Sequence, residues 1–217
     1  PHLPSLPTRR SSDLYGYAGP EIVCAPNPVP VPNGLSVRGP DPATPIQFAP
    51  DLGLVQGLEV GTTPDQFWVA APDRGAVVLV QAPAPGHIQR TPTILARWNP
   101  GNRTCWYPTD IALDHDRSEL LVTVSGSNRI WRFGLDGQLR GEIIPSSYSP
   151  GNSGWWGVAV RTAQGGGAPT YLLAAPDRRM IVEITREGTL RRLISTNELP
   201  ALDLAYDPAQ DQVLATH

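Results

Sequence analysis

From Gly53 to its end, the chain repeats a unit of four short apolar runs about every 47 residues. The first runs of successive units begin at Gly57, Asp110, Gly157 and Asp203. Turn residues separate the runs within a unit, and Gly, Asn and Asp are the residues that tight turns between strands require. A single four-stranded sheet cannot bury both of its faces, so such units stack on their neighbours. Four strands at a period near 47 predict an all-β fold built from the blades of a β-propeller.

The clearest part of the repeat is Glu119–Leu139, which reads ELLVTVSGSNRIWRFGLDGQL. An apolar run is followed by the turn Ser125–Asn128, a second apolar run and the turn Asp136–Gly137. Asp-Gly between apolar runs is a strong hairpin signal, because both residues tolerate the backbone conformation of a two-residue turn. This segment therefore predicts three antiparallel strands in about twenty residues.

The other units predict strands in the same order. The second strands are expected at Phe67–Pro72, Glu119–Val124, Tyr171–Pro176 and Gln212–His217. The third strands are expected at Ala76–Gln81, Ile130–Gly134 and Met180–Thr185, and the fourth at Ile94–Trp98, Gln138–Ile144 and Thr189–Ile194.

The sequence divides into three parts. Residues 1–14 contain SLPTRRSSDL, which resembles the translated read-through of a sequencing adapter, and we exclude them from the fold prediction as artefact or disordered tail. Residues 15–52 are a proline-rich, extended lead-in in which 46–48 is the candidate for a lone closing edge strand. Residues 53–217 are expected to form blades at about 53–98, 104–144 and 152–194, with a truncated blade at 198–217. Propellers close with about four to eight blades, so we expect a parent of about six blades of which this chain holds roughly half.

Composition excludes several classes of function. The net charge of −3 and the pI near 5.8 give no general basic field for nucleic acid. No run approaches the roughly 18 apolar residues of a membrane helix. Cys24 and Cys105 are either a disulfide of an exported protein or two unrelated thiols, since pairing is not readable from sequence.

The segment Ser125–Leu139 resembles an NHL repeat, in which Asn-x-Arg-Ile or Asn-Arg-Ile precedes an apolar strand and Asp-Gly. The residues that carry the resemblance are Asn128, Arg129, Ile130, Phe133, Asp136 and Gly137. Upstream, Pro108–Asp114 resembles the opening Pro-x-Gly-hydrophobic-Ala-hydrophobic-Asp of that repeat. The flanking units depart from the pattern, because they lack the Asn. The resemblance covers residues 53–217 and implies a six-bladed propeller of the NHL, lactonase and streptogramin-lyase type.

In such propellers the first strand of each blade lines the axis, and ligands bind at one mouth. The resemblance implies a ligand-binding group in the loops that enter first strands: Thr104, Trp106, Tyr107, Asp110, Trp155, Trp156 and Asp203. Adjacent residues of a strand face opposite sides, so one of the tryptophans Trp155 and Trp156 is a candidate stacking platform for a ring or a sugar. The alternative is that both pack between blades.

A second group is the series of turns that follow the second strands, with members Asp73, Arg74, Asn128, Arg129, Asp177 and Arg178. One interpretation is a ring of oxygen ligands for a hard cation such as Ca²⁺. The other is that each Asp or Asn caps its turn and each Arg pairs with the neighbouring blade. Repetition in every unit favours this structural interpretation, because a catalytic site is normally asymmetric.

The lactonase-type resemblance implies a third set. Those enzymes hold a divalent metal with Glu, Asn and Asp from the inner ends of different blades. The carboxylates available on first strands here are Glu59, Asp110 and Asp203, and converging carboxylates suit Ca²⁺ or another divalent metal. The motifs of that family around its ligands are absent. A streptogramin-lyase-like site needs His and Glu pairs, but His87 and His115 lie outside the first strands.

No Gly-rich phosphate loop, Cys-x-x-Cys, Gly-x-Ser-x-Gly or His-Glu-x-x-His is present in the sequence. We therefore expect an NHL-like β-propeller from an exported or cell-surface protein, acting as a scaffold for a protein or small-molecule ligand. The alternative is a metal-dependent hydrolase or lyase of the lactonase type, with its site at the propeller mouth.

Overall fold

The computed structural model describes residues 55–63, 66–81, 106–162, 167–197 and 199–217, together with the strand backbones 35–38, 45–49 and 93–98. The expectations for residues 1–34, for Thr104 and His87, and for a Cys24–Cys105 disulfide lie outside these residues. Within the described part, no helix is long and apolar enough to span a membrane.

The described chain is built from short antiparallel strands. The N-terminal strands are β1 (Leu35–Arg38) and β2 (Pro45–Ala49). Blade 1 contains β3 (Leu58–Val60), β4 (Gln66–Ala71), β5 (Ala76–Gln81) and β6 (Thr93–Trp98). Blade 2 contains β7 (Pro108–Asp114), β8 (Glu119–Val124), β9 (Ile130–Gly134) and β10 (Leu139–Ile143). Blade 3 contains β11 (Val158–Arg161), β12 (Thr170–Ala175), β13 (Met180–Thr185) and β14 (Leu190–Ser195). The last hairpin contains β15 (Asp203–Asp207) and β16 (Gln212–Thr216).

Each blade is a meander in which every strand pairs with the next one along the chain. The predicted order of strands is confirmed, and β5, β9 and β13 begin and end at the predicted residues. The expected strand at 46–48 lies within β2. It is not a lone strand, because β2 pairs with β1 in a separate two-stranded sheet, and among the described strands the sheet of β15 and β16 contains no other member.

The shared Pro-Asp-Arg sequence produces the same turn in blades 1 and 3. Pro72–Arg74 and Pro176–Arg178 each form one 3₁₀ turn, with proline at a position where its fixed φ is favourable. The residue that ends each turn has a left-handed backbone conformation, with φ 54° at Gly75 and φ 52° at Arg179. Glycine adopts this conformation without strain, whereas arginine does so at a cost.

Apolar side chains are buried between the blades, because each sheet has two apolar faces that it buries against its neighbours. One cluster joins blades 1 and 2 and includes Trp68, Trp106, Val122 and Phe133. A second joins blades 2 and 3 and includes Leu121, Ile130, Trp155, Tyr171 and Leu173. A third joins blade 3 to the last hairpin and includes Leu172, Ile181 and Leu204.

The first strands β3, β7, β11 and β15 lie side by side at the inner edge of the stack. Their close approach depends on glycine at two places. A Cβ on Gly57 would lie 2.6 Å from Cα of Asp110, and a Cβ on Gly157 would lie 3.0 Å from Cα of Asp203. These contacts set the spacing of the strands that line the axis.

Candidate functional site

The loops that enter first strands and the turns after second strands lie at the same end of the stack, as the sequence predicted. Asp177, in the turn of blade 3, accepts hydrogen bonds from the amide of Ser153 at 2.8 Å and from its hydroxyl at 2.6 Å. The amide of Trp155 donates to the carbonyl of Ser127 in the turn of blade 2, at 3.1 Å. The loop 150–156 is therefore fixed between two neighbouring turns.

The side chains of the turns that follow the second strands hold neighbouring segments of the fold in place. The hydrogen bonds from Ser153 lower the pKa of Asp177, which caps the preceding loop rather than its own turn. Arg129 forms an ion pair with Glu142 in the same blade, rather than with a neighbouring blade. Asn128 is exposed and Asp73 is half-buried. Within the described residues no group of three or more His, Cys, Asp or Glu is placed to hold a metal ion, and the ring of cation ligands, the less favoured interpretation of these turns, is not assembled.

The four predicted aromatic residues divide into two pairs. Trp106 and Trp155 are buried between blades. Trp106 packs edge-on against Phe133 at 5.8 Å, and Trp155 stacks on Tyr148 at 6.1 Å. Tyr107 and Trp156 reach the surface, with Tyr107 44% exposed and Trp156 half-buried.

The prediction that Trp155 and Trp156 share a strand is wrong, because β11 begins only at Val158. The indole N–H of Trp156 donates to the carbonyl of Ser153 at 3.1 Å. The Trp156 carbonyl accepts from the hydroxyls of Thr123 at 2.6 Å and Thr109 at 3.0 Å, both in blade 2. These bonds fix the ring and its backbone, so Trp156 remains available as a rigid, partly exposed aromatic surface.

Asp110 lies at the centre of the inner strands and is only 4% exposed. One carboxylate oxygen accepts from the amide of Ile111 at 2.8 Å, and the other accepts from the amide of Val158 at 2.7 Å. Val158 belongs to the next blade. The carboxyl group of Asp110 thus joins the first strands of blades 2 and 3.

Asp203 begins β15 on the other side of β11 and is exposed, while its carboxylate accepts from the amide of Leu204 at 2.7 Å. Burial raises the pKa of Asp110 well above the usual range for aspartate. The negative charge of Asp203, and a side-chain hydrogen bond with it, raise the pKa further, while the amides of Val158 and Ile111 oppose the shift.

Glu59 joins blade 1 to blade 2 in a similar way. Its carboxylate accepts from the amide of Val60 at 2.9 Å and from the amide of Leu113, in the next blade, at 3.2 Å. Burial raises the pKa of Glu59, and this effect is larger than the lowering by the two amide hydrogen bonds. Glu59, Asp110 and Asp203 line one cavity, but the structure does not assemble them as the predicted three-ligand metal site. Glu59 and Asp110 instead accept a backbone amide with each carboxylate oxygen, and Asp203 accepts one with a single oxygen.

The cavity has a volume of about 430 Å³ and runs along the first strands. It extends from Asp110 to the far ends of these strands, where His115, Asp116, Arg186 and Pro208 line it. The cavity therefore opens away from the aromatic loops, and Trp156 is not part of its lining.

A buried polar network lies at the far end of the cavity. Asp114, 1% exposed, accepts from the Tyr171 hydroxyl at 2.7 Å, from Arg186 at 2.5 Å and from the Arg117 amide at 3.3 Å. Arg186 also contacts Asp116 at 3.0 Å. Asp114 is in blade 2, and Tyr171 and Arg186 follow in blade 3, so the network joins the two blades.

Two further patterns in the sequence correspond to these contacts. Gly and Asp alternate at equivalent positions in or next to the inner strands, and Ala and Thr alternate at the positions of the second strands opposite them: Gly57, Asp110, Gly157 and Asp203 with Ala70, Thr123, Ala174 and Thr216. The loop sequence Pro-Gly-Asn also occurs twice, at 100–102 and 150–152. A Cβ on Gly151 would lie 2.7 Å from Asp177, which accounts for the glycine of the second copy.

Four-stranded antiparallel meanders, stacked face to face with their first strands innermost, define a β-propeller. The comparisons with solved structures agree with this class. A catalytically inactive variant of virginiamycin B lyase from Staphylococcus aureus, solved with quinupristin, is 18% identical with a TM-score of 0.54, covering 77% of this chain and 50% of that chain. Selenomethionine-substituted virginiamycin B lyase from the same organism is 18% identical with a TM-score of 0.54, covering 80% and 52%.

Hydrazine synthase from Kuenenia stuttgartiensis is also similar, with 16% identity and a TM-score of 0.53 over 76% of this chain and 42% of that chain. This chain spans about half the length of the lyase chains that it matches. No protein-family model and no curated protein matches it. At these identities the likeness shows the fold alone, and the NHL resemblance stays a prediction.

Proposed function

We propose that this chain is part of a β-propeller scaffold that binds a small ligand in its axial cavity. The cavity supports the proposal, because its volume of about 430 Å³ lies in the range of about 300–1,000 Å³ that is usual for ligand sites. Its wall combines apolar side chains such as Ile111 and Val158 with a few converging polar groups, which is the usual composition of a binding site.

Amide-proton chemical shifts recorded during a fragment screen test the proposal. A bound fragment is expected to shift the amides of β7, β11 and β15 together. Ala205→Trp fills the cavity from an exposed position and is expected to abolish these shifts. Leu214→Trp is the matched control, because Leu214 pairs with Ala205 across the same hairpin, is 57% exposed and does not line the cavity.

The result that contradicts an axial site is loss of binding in Trp156→Ala with binding retained in Ala205→Trp, which would move the ligand to the aromatic loops. Lactonase-type hydrolysis predicts a different outcome. In that case Ca²⁺ or Zn²⁺ raises the melting temperature, and Glu59→Gln removes the effect. The scaffold proposal expects no metal effect, because no group of three or more His, Cys, Asp or Glu among the described residues is placed to hold a metal ion.

A further inference from the structure

The wall of the axial cavity carries more acidic than basic side chains. Its charged residues are five carboxylic acids and one guanidinium: Glu59, Asp110, Asp114, Asp116, Asp203 and Arg186. The chain contains no lysine, so arginine and histidine are its only basic side chains. His115 is the one other basic residue among the described residues of the wall. Charge is therefore a property that a ligand of this cavity has to match.

The single guanidinium of the wall is already paired at the far end of the cavity. Arg186 contacts Asp114 at 2.5 Å and Asp116 at 3.0 Å. Arg161, at the end of β11, is also paired with two carboxylates and does not line the cavity. The basic side chains near the first strands therefore leave the rest of the wall without a compensating charge.

The three other acids of the wall form no ion pair within the described part of the chain: Glu59, Asp110 and Asp203. Their oxygens accept backbone amides, which supply hydrogen bonds without a net charge. A carboxylate oxygen keeps a second lone pair beside such an amide. Burial raises the pKa of Glu59 and raises that of Asp110 further, and a positive charge in the cavity would favour the ionised form of both.

The surroundings of these acids suit an organic cation better than a metal ion. Within the described residues no three His, Cys, Asp or Glu are placed to hold a metal. The wall beside them is apolar, since Leu58 is 51% exposed, Val160 is half-buried, and both line the cavity. Apolar surface with a few polar groups is typical of sites for small organic molecules.

We propose that the axial cavity binds a small organic cation, namely a primary amine on an aromatic or short aliphatic body, with its ammonium group beside Glu59, Asp110 and Asp203. An ammonium group donates up to three hydrogen bonds. Charge-assisted bonds to carboxylates are roughly twice as strong as bonds between neutral groups. The apolar body lies against Leu58 and Val160. This inference rests on the proposed function, because it names the ligand class of the same cavity.

Three probes of matched size test the ligand class on the full chain: phenethylamine, phenethyl alcohol and phenylacetate. At neutral pH they carry a positive, a neutral and a negative group on the same ring. In titrations followed by amide-proton chemical shifts, the amine is expected to shift β7, β11 and β15 and to bind at least about tenfold more tightly than the alcohol. Phenylacetate is expected to cause no shifts, because its charge has the sign of the wall.

Single charge-neutralising variants test the role of the acids. Asp203→Asn changes an exposed residue, and it is expected to weaken amine binding at least about fivefold while the affinity for the alcohol changes less than about twofold. Glu59→Gln is expected to act in the same direction from blade 1. Asp207→Asn removes the same charge from the same strand outside the cavity lining, so it is the matched control and keeps the native affinity.

The outcomes separate the ligand class from the site. Equal affinity for the amine and the alcohol, tighter binding of phenylacetate, or native amine affinity in both Asp203→Asn and Glu59→Gln would overturn the cationic class and leave the axial site in place. The same holds if other fragments shift the inner strands and the amine does not. Shifts confined to Tyr107 and Trp156, or no shift with any fragment, would refute the proposed function as well.

Discussion

Replacing Tyr171 by phenylalanine removes one hydroxyl group from the buried network that joins blades 2 and 3. The Tyr171 side chain is fully buried, and its hydroxyl donates to Asp114 at 2.7 Å. Burial raises the pKa of Tyr171 above its usual range, and the hydrogen bond to Asp114 raises it further, so the hydroxyl stays protonated and remains a donor. The aromatic ring fits the same space in the variant, which isolates the effect of the hydrogen bond.

The expected loss in the free energy of unfolding is about 2 kcal/mol. A hydrogen bond to a charged group contributes about 1.5–3 kcal/mol. The lower half of that range applies here, because Asp114 keeps Arg186 at 2.5 Å and the Arg117 amide at 3.3 Å. No cavity forms, so no packing loss is added.

Urea unfolding followed by far-ultraviolet circular dichroism measures this change as a lower midpoint with an unchanged slope. Tyr206→Phe is the matched control. Its hydroxyl also donates to a carboxylate, Asp211, at 2.9 Å, but this pair is exposed and the expected loss is below about 0.5 kcal/mol. Combining Tyr171→Phe with Asp114→Asn is expected to give a coupling of about 1–2 kcal/mol. Equal losses in the two Tyr→Phe variants, or no coupling, would refute the network as the link between the blades.

Three further changes test other contacts by the same measurement. Gly57→Ala places a methyl group 2.6 Å from the Asp110 backbone and is expected to cost about 1–3 kcal/mol; a neutral result would contradict the close approach of the inner strands. Arg179→Gly replaces an arginine at φ 52° by glycine, which adopts this left-handed conformation without strain, and is expected to stabilise the chain by about 0.5–1 kcal/mol. A loss of stability would contradict a left-handed backbone at this position. Asp177→Asn replaces one accepting oxygen by an NH2 group, so it removes one of the two hydrogen bonds from Ser153, and it is expected to cost about 1 kcal/mol at pH 7. Because the pKa of Asp177 is lowered in the folded chain, this contribution is complete above the usual aspartate range and is lost as pH falls through the folded value. A difference from the native chain that persists at lower pH would contradict the assignment.

Strand positions were predictable because their signals are local. The run Met180–Thr185 is bounded by a Pro-Asp-Arg turn and a Glu-Gly turn, and apolar residues between two turns form a strand whatever packs against them. The same reasoning located the strands of every blade and therefore the class of fold.

The contacts of the site were not predictable in this way. Asp110 was recognised as a candidate, but its partner Val158 lies 48 residues further along the chain, and the bond depends on the register and spacing of two blades. The sequence leaves open whether Trp155 faces the mouth or packs between blades, and in the structure β11 begins three residues later and the ring packs between blades. Local pattern identifies which residues reach the axis, but it does not identify which backbone groups they meet there.

The alternation of Gly and Asp at equivalent positions of the inner strands has a consequence for protein engineering. Each glycine makes room for the aspartate of the following blade, and Asp110 in turn accepts an amide from the blade that follows it. Removing one blade would place two aspartates or two glycines side by side, with either excess charge or an empty gap. Shortened or lengthened versions of this scaffold are therefore expected to fold when blades are deleted or duplicated in pairs.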